Sequence, residues 1–335
     1  AFALHAGVQP NVALAQSGAA LTGQVSSEAE GAMEGVVVSA RREGASYTVS
    51  VVSDDQGHYQ FPVDRLEPGE YALSIRAVGY ELDGADATIV AAGTTASADL
   101  TLIPTRNLSA QLTNAEWLLS IPGTHRQKAF MLNCTSCHTL ERVMKSSYDA
   151  EGFLDVFDRM AKYYPGSMPT KPQRLNGTAM RMGRTRAAAG EVADWLSSIN
   201  LSQSETRQYE LQTLPRLTGA STKVIITEYD LPNDLIQPHD VIIDGEGDLW
   251  YSDFGQMFLG KMDTTTGEVT QYPIPVAKPG WPTGTLDLEA DRDGNIWIGV
   301  MYQANIARFD PKTEQFQQWN VPAEWQTDGS QTGHL

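Results

Sequence analysis

The sequence has few cysteines, no long apolar run and a deficit of positive charge. Only two of its 335 residues are cysteines, and two thiols separated by two residues do not make the disulfide framework of a small secreted domain. No apolar run reaches the roughly 20 residues that a membrane-spanning helix needs. Lys and Arg number 24 against 41 Asp and Glu, a net charge of −17. We therefore expect no membrane span and no nucleic-acid partner, which would require a clustered positive surface.

The positive charge that is present is concentrated in the middle of the chain. Residues 120–202 carry 11 basic and 7 acidic side chains, whereas residues 1–119 carry 5 and 14, and residues 203–335 carry 8 and 20. A basic segment thus separates two acidic ones. A chain of this length is expected to form two or three domains, and its 41% hydrophobic content argues against wholesale disorder.

The N-terminal stretch "AFALHAGVQPNVALAQSG" is apolar and contains Ala13-Leu14-Ala15, a small-x-small pattern typical of a signal-peptidase site. We interpret residues 1–15 as the remainder of a signal peptide whose basic start is missing. A disordered N-terminus is the alternative. The interpretation predicts a periplasmic or otherwise exported protein.

Residues 16–103 alternate apolar and polar positions between turn signals, which predicts short strands and a β-sandwich. The pattern resembles the carboxypeptidase regulatory-like, transthyretin-like domain, whose resemblance implies a folding or interaction accessory without catalytic residues. The motifs that carry it are Gly-x-Val at 23–25, Gly-x-Tyr at 57–59, Leu-x-x-Gly-x-Tyr at 66–71 and Gly79-Tyr80.

Residues 104–202 change to helical periodicity. The stretches "HRQKAFMLNC", "DAEGFLDVFDRMAKYY" and "AAAGEVADWLSSIN" each place apolar side chains on one face of a helix. Three helices around one "CTSCH" motif predict a compact all-α domain, with a polar linker at 203–221.

Cys134, Cys137 and His138 form the CxxCH pattern of a c-type haem attachment site. Two thiols with two intervening residues can reach both porphyrin vinyl groups, and the adjacent imidazole can bind the iron. A structural zinc site would need a second pair of ligands, and a dithiol redox pair normally follows a strand. Zinc, a dithiol or a chance match remain the alternatives.

This segment resembles class I cytochrome c, with a helix leading into CxxCH, a methionine loop and a closing helix. The resemblance implies one covalent haem c, packing of Phe130 against it, His138 as proximal ligand and Met168 of "YYPGSMPTKP" as distal ligand. The family usually has glycine where Arg126 stands, so the crossing of the first and last helices is in doubt. The alternatives for the distal position are Met160, Met180, Met182, His125 or an open site.

The last third of the chain repeats itself with a period of 47 residues, because Asp244, Gly247, Trp250, Asp263 and Pro275 recur at Asp291, Gly294, Trp297, Asp310 and Pro322. Such a period predicts four-stranded propeller blades. Residues 222–335 resemble the streptogramin lyase (virginiamycin B lyase) propeller, which implies lyase chemistry with a metal ion and a histidine. His239 is the weak candidate for that histidine. Two blades leave apolar faces uncovered, so we expect a longer natural chain.

Together these patterns predict a multidomain chain with an N-terminal β-sandwich, a central all-α cytochrome c domain and a C-terminal partial β-propeller. The predicted function is electron transfer by an exported mono-haem protein whose β modules bind a partner, or a small-molecule or glycan ligand at the propeller. A propeller lyase, a dehydrogenase that uses the haem as electron acceptor, and a haem-based sensor are the alternatives. Basic side chains could offset the haem propionates and steer an acidic redox partner, or could simply form a solvated surface; they are Arg142, Lys145, Lys162, Lys171, Arg181, Arg184 and Arg186.

Overall fold

The computed structural model describes residues 18–84, 87–135, 138–164, 167–174, 186–201 and 209–326. These residues divide into two compact units. The first contains the described residues of 1–44, 48–104 and 216–228, and the second contains those of 45–47, 105–215 and 229–335. Among the described helices, none is both long and apolar enough to cross a membrane.

Two β-sheets make up the first unit. One has six strands, with the order β2-β1-β10-β7 and with β5 and β9 also paired to β1, and the other has five in the order β11-β4-β3-β6-β8. The strands are β1 (Ala19–Ser27), β2 (Gly31–Ala32), β3 (Val37–Arg42), β4 (Tyr47–Val52), β5 (His58–Pro62), β6 (Gly69–Arg76), β7 (Tyr80–Asp83), β8 (Ala87–Val90), β9 (Ala96–Ser97), β10 (Leu100–Pro104) and β11 (Ile225–Tyr229).

The alternation in the sequence decides which side chains enter this unit's core. In β6, Tyr71 and Leu73 are buried, while the neighbouring residues Glu70, Ala72 and Ser74 are exposed. This is expected when successive side chains point to opposite faces of a sheet.

The strand β11 is separated from the rest of its sheet by more than 120 residues of sequence, yet it pairs with β4 at the edge of that sheet. The segment before it is fixed within the same unit by Arg216, which donates to both carboxylate oxygens of Glu30 and to the carbonyl oxygen of Glu34. The sequence analysis included these residues in the propeller range 222–335, whereas β11 belongs to a sheet of the first unit.

In the part of the chain that the structure describes, the second unit has six α-helices before its sheets, and most of them are short. The helices α1 to α4 have only 4, 7, 7 and 5 residues, and α5 and α6 have 11 and 14. They are α1 (Leu108–Gln111), α2 (Asn114–Ser120), α3 (His125–Met131), α4 (Leu140–Met144), α5 (Ala150–Met160) and α6 (Arg186–Ile199).

Two four-stranded antiparallel sheets follow, which we call the first and second repeat sheets. The first contains β12 (Pro238–Ile243), β13 (Leu249–Asp253), β14 (Phe258–Met262) and β15 (Val269–Pro273), and the second contains β16 (Leu288–Ala290), β17 (Ile296–Val300), β18 (Asn305–Asp310) and β19 (Gln315–Asn320). Each has its strands in chain order, as the 47-residue repeat predicts. One apolar core joins them, in which Trp250 and Leu259 of the first repeat sheet pack with Ile296, Ile298 and Phe309 of the second.

The predicted fold class is wrong. The described chain is mostly β, with several separate sheets, and it contains no separate all-α cytochrome domain. The helical periodicity does correspond to helices, but most of them end after one or two turns. In addition, residues 105–215 belong to the same compact unit as the repeat sheets. Contacts between segments about 100 residues apart, described below, account for this arrangement.

Candidate functional site

The helix α3 leads directly into the first cysteine of the CxxCH motif. A capping box begins this helix, with the Thr124 side chain accepting from the backbone N–H of Gln127 and the Gln127 side chain accepting from that of Thr124. Beyond Met131 the chain continues as turns, in which the N–H of Cys134 donates to the Met131 carbonyl oxygen over 2.9 Å. Cys134 is half-buried and is not part of a disulfide, whereas Cys137 lies outside the described residues.

His138 follows Cys134 by one backbone turn, because its N–H donates to the Cys134 carbonyl oxygen over 3.3 Å. The imidazole Nδ1 lies 3.0 Å from the carbonyl oxygen of Thr139. A carbonyl oxygen only accepts, so a hydrogen bond here requires the proton on Nδ1 and leaves Nε2 as the ring atom available to a metal. Metal-binding histidines are oriented by this kind of hydrogen bond.

Apolar side chains pack beneath this motif. Phe130 is 3% exposed and its ring centroid lies 5.4 Å from that of Phe157. Met131, Leu140 and Met144 are also buried. These side chains already pack against other protein atoms, and the predicted packing of Phe130 against a haem stays a prediction.

Met168 lies on a separate segment, Ser167–Arg174, and is half-buried. Its backbone is doubly paired with Lys171: the Met168 N–H donates to the Lys171 carbonyl oxygen over 3.2 Å, and the Lys171 N–H donates back over 3.1 Å. Of the other proposed distal ligands, Met160 is half-buried in α5 and His125 is exposed at the start of α3. Met180 and Met182 lie outside the described residues. The role of Met168 as distal ligand therefore stays a prediction.

The Ser167–Arg174 segment contacts the turn between β13 and β14 and the connection between the two repeat sheets, which the sequence did not indicate. The Lys171 ammonium donates to the carbonyl oxygen of Gly255 over 2.5 Å and lies 3.3 Å from the Thr283 hydroxyl oxygen. The Oε1 atom of Gln173 accepts from the Thr283 N–H over 2.8 Å. The sequence analysis predicted that Lys171 either offsets the haem propionates and steers an acidic partner or lies on a solvated surface, and it made no prediction for Gln173.

His239 is exposed on β12, with its ring centroid 5.8 Å from that of Phe254. Within the described ranges, no group of three or more His, Cys, Asp or Glu side chains is placed to hold a metal ion. Its catalytic role therefore stays a prediction without support from a neighbouring metal-binding group.

The repeated acidic turns have a structural use. Asp244 accepts from the indole N–H of Trp250 over 2.8 Å, and Asp291 accepts from that of Trp297 over 2.9 Å. Their other carboxylate oxygens accept backbone N–H groups of the turns that join β12 to β13 and β16 to β17. Both carboxylates are thus engaged in holding the hairpins.

A groove of about 900 Å³ opens on the first unit. Its apolar lining comes from Val51, Val52 and Tyr59, and the Tyr59 hydroxyl donates to the Ala98 carbonyl oxygen over 2.6 Å. Burial, together with the negative charge of Asp99, raises the pKa of Tyr59. Polar groups line the rest, among them Gln24, Asp54, His58, Asp99 and Lys223. Its volume lies within the range found for small-molecule binding sites.

Comparison with curated proteins found no match. Solved structures gave weak likenesses. A streptogramin B lyase is 22% identical, with 32% of this chain and 33% of that chain covered and a TM-score of 0.26. A catalytically inactive virginiamycin B lyase from Staphylococcus aureus with quinupristin is 19% identical, with 30% and 31% covered and a TM-score of 0.26. An extracellular domain from B. thetaiotaomicron is 22% identical, with 29% and 13% covered and a TM-score of 0.23.

The chain spans about a third of the length of the lyase structures that it matches. The comparisons provide no evidence for a cytochrome c domain. A family match does exist for the N-terminal part, and it agrees with the sequence interpretation: residues 20–103 match the carboxypeptidase regulatory-like domain.

Proposed function

We propose that this chain carries one haem, attached covalently through Cys134 and Cys137, and that it transfers single electrons in an exported compartment. The supporting observation is the single backbone turn that joins His138 to Cys134, with the His138 Nδ1 lying 3.0 Å from the Thr139 carbonyl oxygen. Bound haem would supply a one-electron iron centre. The chemistry of the residues fits that group, because two thiols and an imidazole follow one another at the spacing of a haem attachment motif.

Each residue of the motif has a distinct role in this proposal. Cys134 and Cys137 would anchor the haem through thioether bonds, and His138 would bind the iron through Nε2 while the Thr139 carbonyl oxygen orients its ring. Met168 would supply a second ligand to the iron, and a thioether ligand raises the reduction potential.

The β modules are proposed to bind partners or ligands. The carboxypeptidase regulatory-like domain and the weak likeness to streptogramin lyases are hints of binding or enzyme-like modules. The groove of the first unit favours a small-molecule ligand there, since two carboxylates, a lysine and an imidazole stand around an apolar lining. At the repeat sheets, where a small-molecule or glycan ligand was predicted, the structure offers no comparable observation in the described residues.

An acidic redox partner suits the net positive charge of residues 120–202. Electrostatic steering of such a partner would make its association rate fall steeply with ionic strength. The rate of haem reduction by an acidic electron-transfer protein, measured against salt concentration, tests this step. A rate that is independent of salt would exclude steering.

The attachment is tested on the full chain produced in a host that matures c-type cytochromes. We expect the denatured protein to exceed its polypeptide mass by one haem and to stain for peroxidase activity in a gel. Cys134→Ala and Cys137→Ala should each remove a thioether, and His138→Ala should abolish the low-spin spectrum of the iron. His58→Ala, an imidazole removed from the first unit, is the matched control and should change none of these.

Two results would decide against the proposal. Unmodified protein with the mass of the polypeptide alone would exclude covalent haem. Attached haem that binds carbon monoxide readily when reduced would show an open iron, and would favour the sensor or the dehydrogenase alternative over simple electron transfer. A lyase alternative requires the opening of a macrocyclic lactone by the haem-free chain, and its loss in His239→Ala.

A further inference from the structure

The Ser167–Arg174 segment is attached to the repeat sheets by side chains on either side of Pro172. Lys171 and Gln173 both reach Thr283, which lies in the connection between the two repeat sheets. Lys171 also reaches the carbonyl oxygen of Gly255 in the turn between β13 and β14. Because Lys171 and Gln173 both contact Thr283, the position and the orientation of the segment are both restricted.

The acceptor for Lys171 is itself held firmly. Asp253 is fully buried, and its Oδ1 atom accepts from the N–H of Gly255 over 2.8 Å and from that of Gln237 over 2.9 Å. A Cβ atom at Gly255 would overlap the carbonyl oxygen of Leu235, so the turn is closely packed. The Gly255 carbonyl therefore offers Lys171 a fixed position.

Lys171 is partly removed from water by this contact. Burial lowers its pKa, and the negative charge of Asp253 opposes that effect. A charged donor that is partly desolvated forms a stronger hydrogen bond than an exposed one, and leaves a larger penalty when its acceptor is lost. The Lys171 contact is therefore more than an incidental surface interaction.

The attachment continues to Met168 through the backbone. The two hydrogen bonds between Met168 and Lys171 join them in one turn. The Gln173 N–H donates to the hydroxyl of buried Ser167 over 2.8 Å, and the Tyr164 N–H donates to the Gln173 carbonyl oxygen over 2.9 Å. Tyr164 in turn packs on Tyr302 of the 3-10 turn that joins β17 to β18, with ring centroids 4.6 Å apart. A shift of Lys171 or Gln173 must therefore move the backbone of Met168.

We propose that Lys171 and Gln173 are positioning residues that hold Met168 in place relative to the repeat sheets. Iron ligation by Met168 then depends on the conformation of the Gly255 turn and of the connection that contains Thr283. This inference rests on the proposed haem function. Its consequence is reciprocal coupling: a ligand or partner that displaces the Gly255 turn changes the reduction potential, and reduction of the iron changes the affinity for that ligand.

The fastening is tested first on the full chain without haem. Lys171→Met keeps the length of the side chain and removes the donor, and Gln173→Leu removes the acceptor of the Thr283 N–H. We expect amide hydrogen exchange in peptides covering 167–174 to become at least tenfold faster in both variants. Lys162→Met, which removes an exposed charge from the same part of the chain, is the control and should leave this exchange unchanged.

The coupling is then tested on the haem-loaded chain by its reduction potential and its carbon monoxide binding. A tenfold weaker preference of the reduced iron for Met168 corresponds to a fall of about 59 mV for a one-electron couple. We expect a fall of this size and increased carbon monoxide binding in Lys171→Met. Thr283→Val removes the hydroxyl from the repeat-sheet side and should produce a smaller change in the same direction, even if Lys171→Met fails to fold.

The outcomes separate the two proposals. Absence of haem from the unmodified chain, read from its mass, overturns the proposed function and this inference with it. Attached haem with equal potentials in the unmodified chain, Lys171→Met and Thr283→Val overturns the inference alone. Unchanged hydrogen exchange in both segment variants also overturns it, because the segment would then not depend on these contacts.

Discussion

A glycine in the first repeat sheet makes room for an aromatic ring, and this pair allows a quantitative test of the repeat. Gly260 of β14 is paired with Tyr251 of β13. A Cβ atom at Gly260 would lie 2.6 Å from the Tyr251 hydroxyl oxygen and closer still to two of its ring carbons. The second repeat sheet has Ala307 paired with Ile298 at the corresponding positions, where the smaller aliphatic side chain leaves space for a methyl group.

We therefore expect Gly260→Ala to lower the free energy of unfolding by about 1–3 kcal/mol, the usual cost of overpacking a well-packed site. Tyr251→Ile alone should cost about 1–3 kcal/mol because it leaves a cavity beside the glycine. The double variant recreates the pair of the second repeat sheet, so it should be more stable than the sum of the single effects by about 1–2 kcal/mol.

The assay is urea unfolding followed by tryptophan fluorescence, which reports on the repeat sheets through Trp250 and Trp297. A double-mutant cycle isolates the interaction between the two positions. Additive effects would show that the close approach in the structure has no energetic consequence, and would refute the explanation of why glycine stands at this position.

Three further predictions concern stability. The side-chain amide of Asn295 and the indole of Trp297 lower the pKa of Asp291. The ionised Asp291 carboxylate therefore stabilises the fold above about pH 4, the usual aspartate range, and this stabilisation is lost as the pH falls towards the lower pKa of the folded state. Asp291→Asn should reduce this acid sensitivity of the urea midpoint. Glu116→Ala should cost about 1–3 kcal/mol, because this buried carboxylate accepts from the N–H groups of Thr113 and Leu214, and unchanged thermal stability would contradict this. Gly190→Ala should raise the free energy of unfolding by about 0.5–1 kcal/mol, since a Cβ atom in this part of α6 meets nothing within 4 Å, and a lower urea midpoint would refute it.

Features that depend on local pattern could be predicted from the sequence. The 47-residue period indicated two equivalent units, and each forms a four-stranded sheet with the same Asp–Trp hydrogen bond at its first turn. The stretch "DAEGFLDVFDRMAKYY" corresponds to α5, and the motifs around Gly57 and Tyr71 correspond to the matched carboxypeptidase regulatory-like domain. In each case neighbouring residues contain the information.

Features that depend on distant contacts could not be predicted in this way. Nothing near Lys171 indicates that its ammonium group meets a carbonyl oxygen 84 residues later, so the helices were assigned to a domain of their own. Residues 225–229 fall within the range 222–335 that was predicted as propeller, whereas β11 pairs with β4, a distant partner that no local pattern indicates. For the candidate site, spacing alone predicted Cys134, Cys137 and His138 as haem-binding residues, which stays a prediction, whereas the place of the Thr139 carbonyl oxygen beside the His138 ring depends on the backbone conformation there.

The late position of β11 in the chain has a consequence for biosynthesis. Until this strand is made, one edge of the five-stranded sheet in the first unit is unpaired, and an unpaired edge can join to other chains. About 120 residues separate the end of β10 from β11, which at common translation speeds is about 6–24 s of synthesis. Newly made chains would therefore pass through an interval of exposure to aggregation, and chaperone binding during that interval would matter more than the final stability of the sheet.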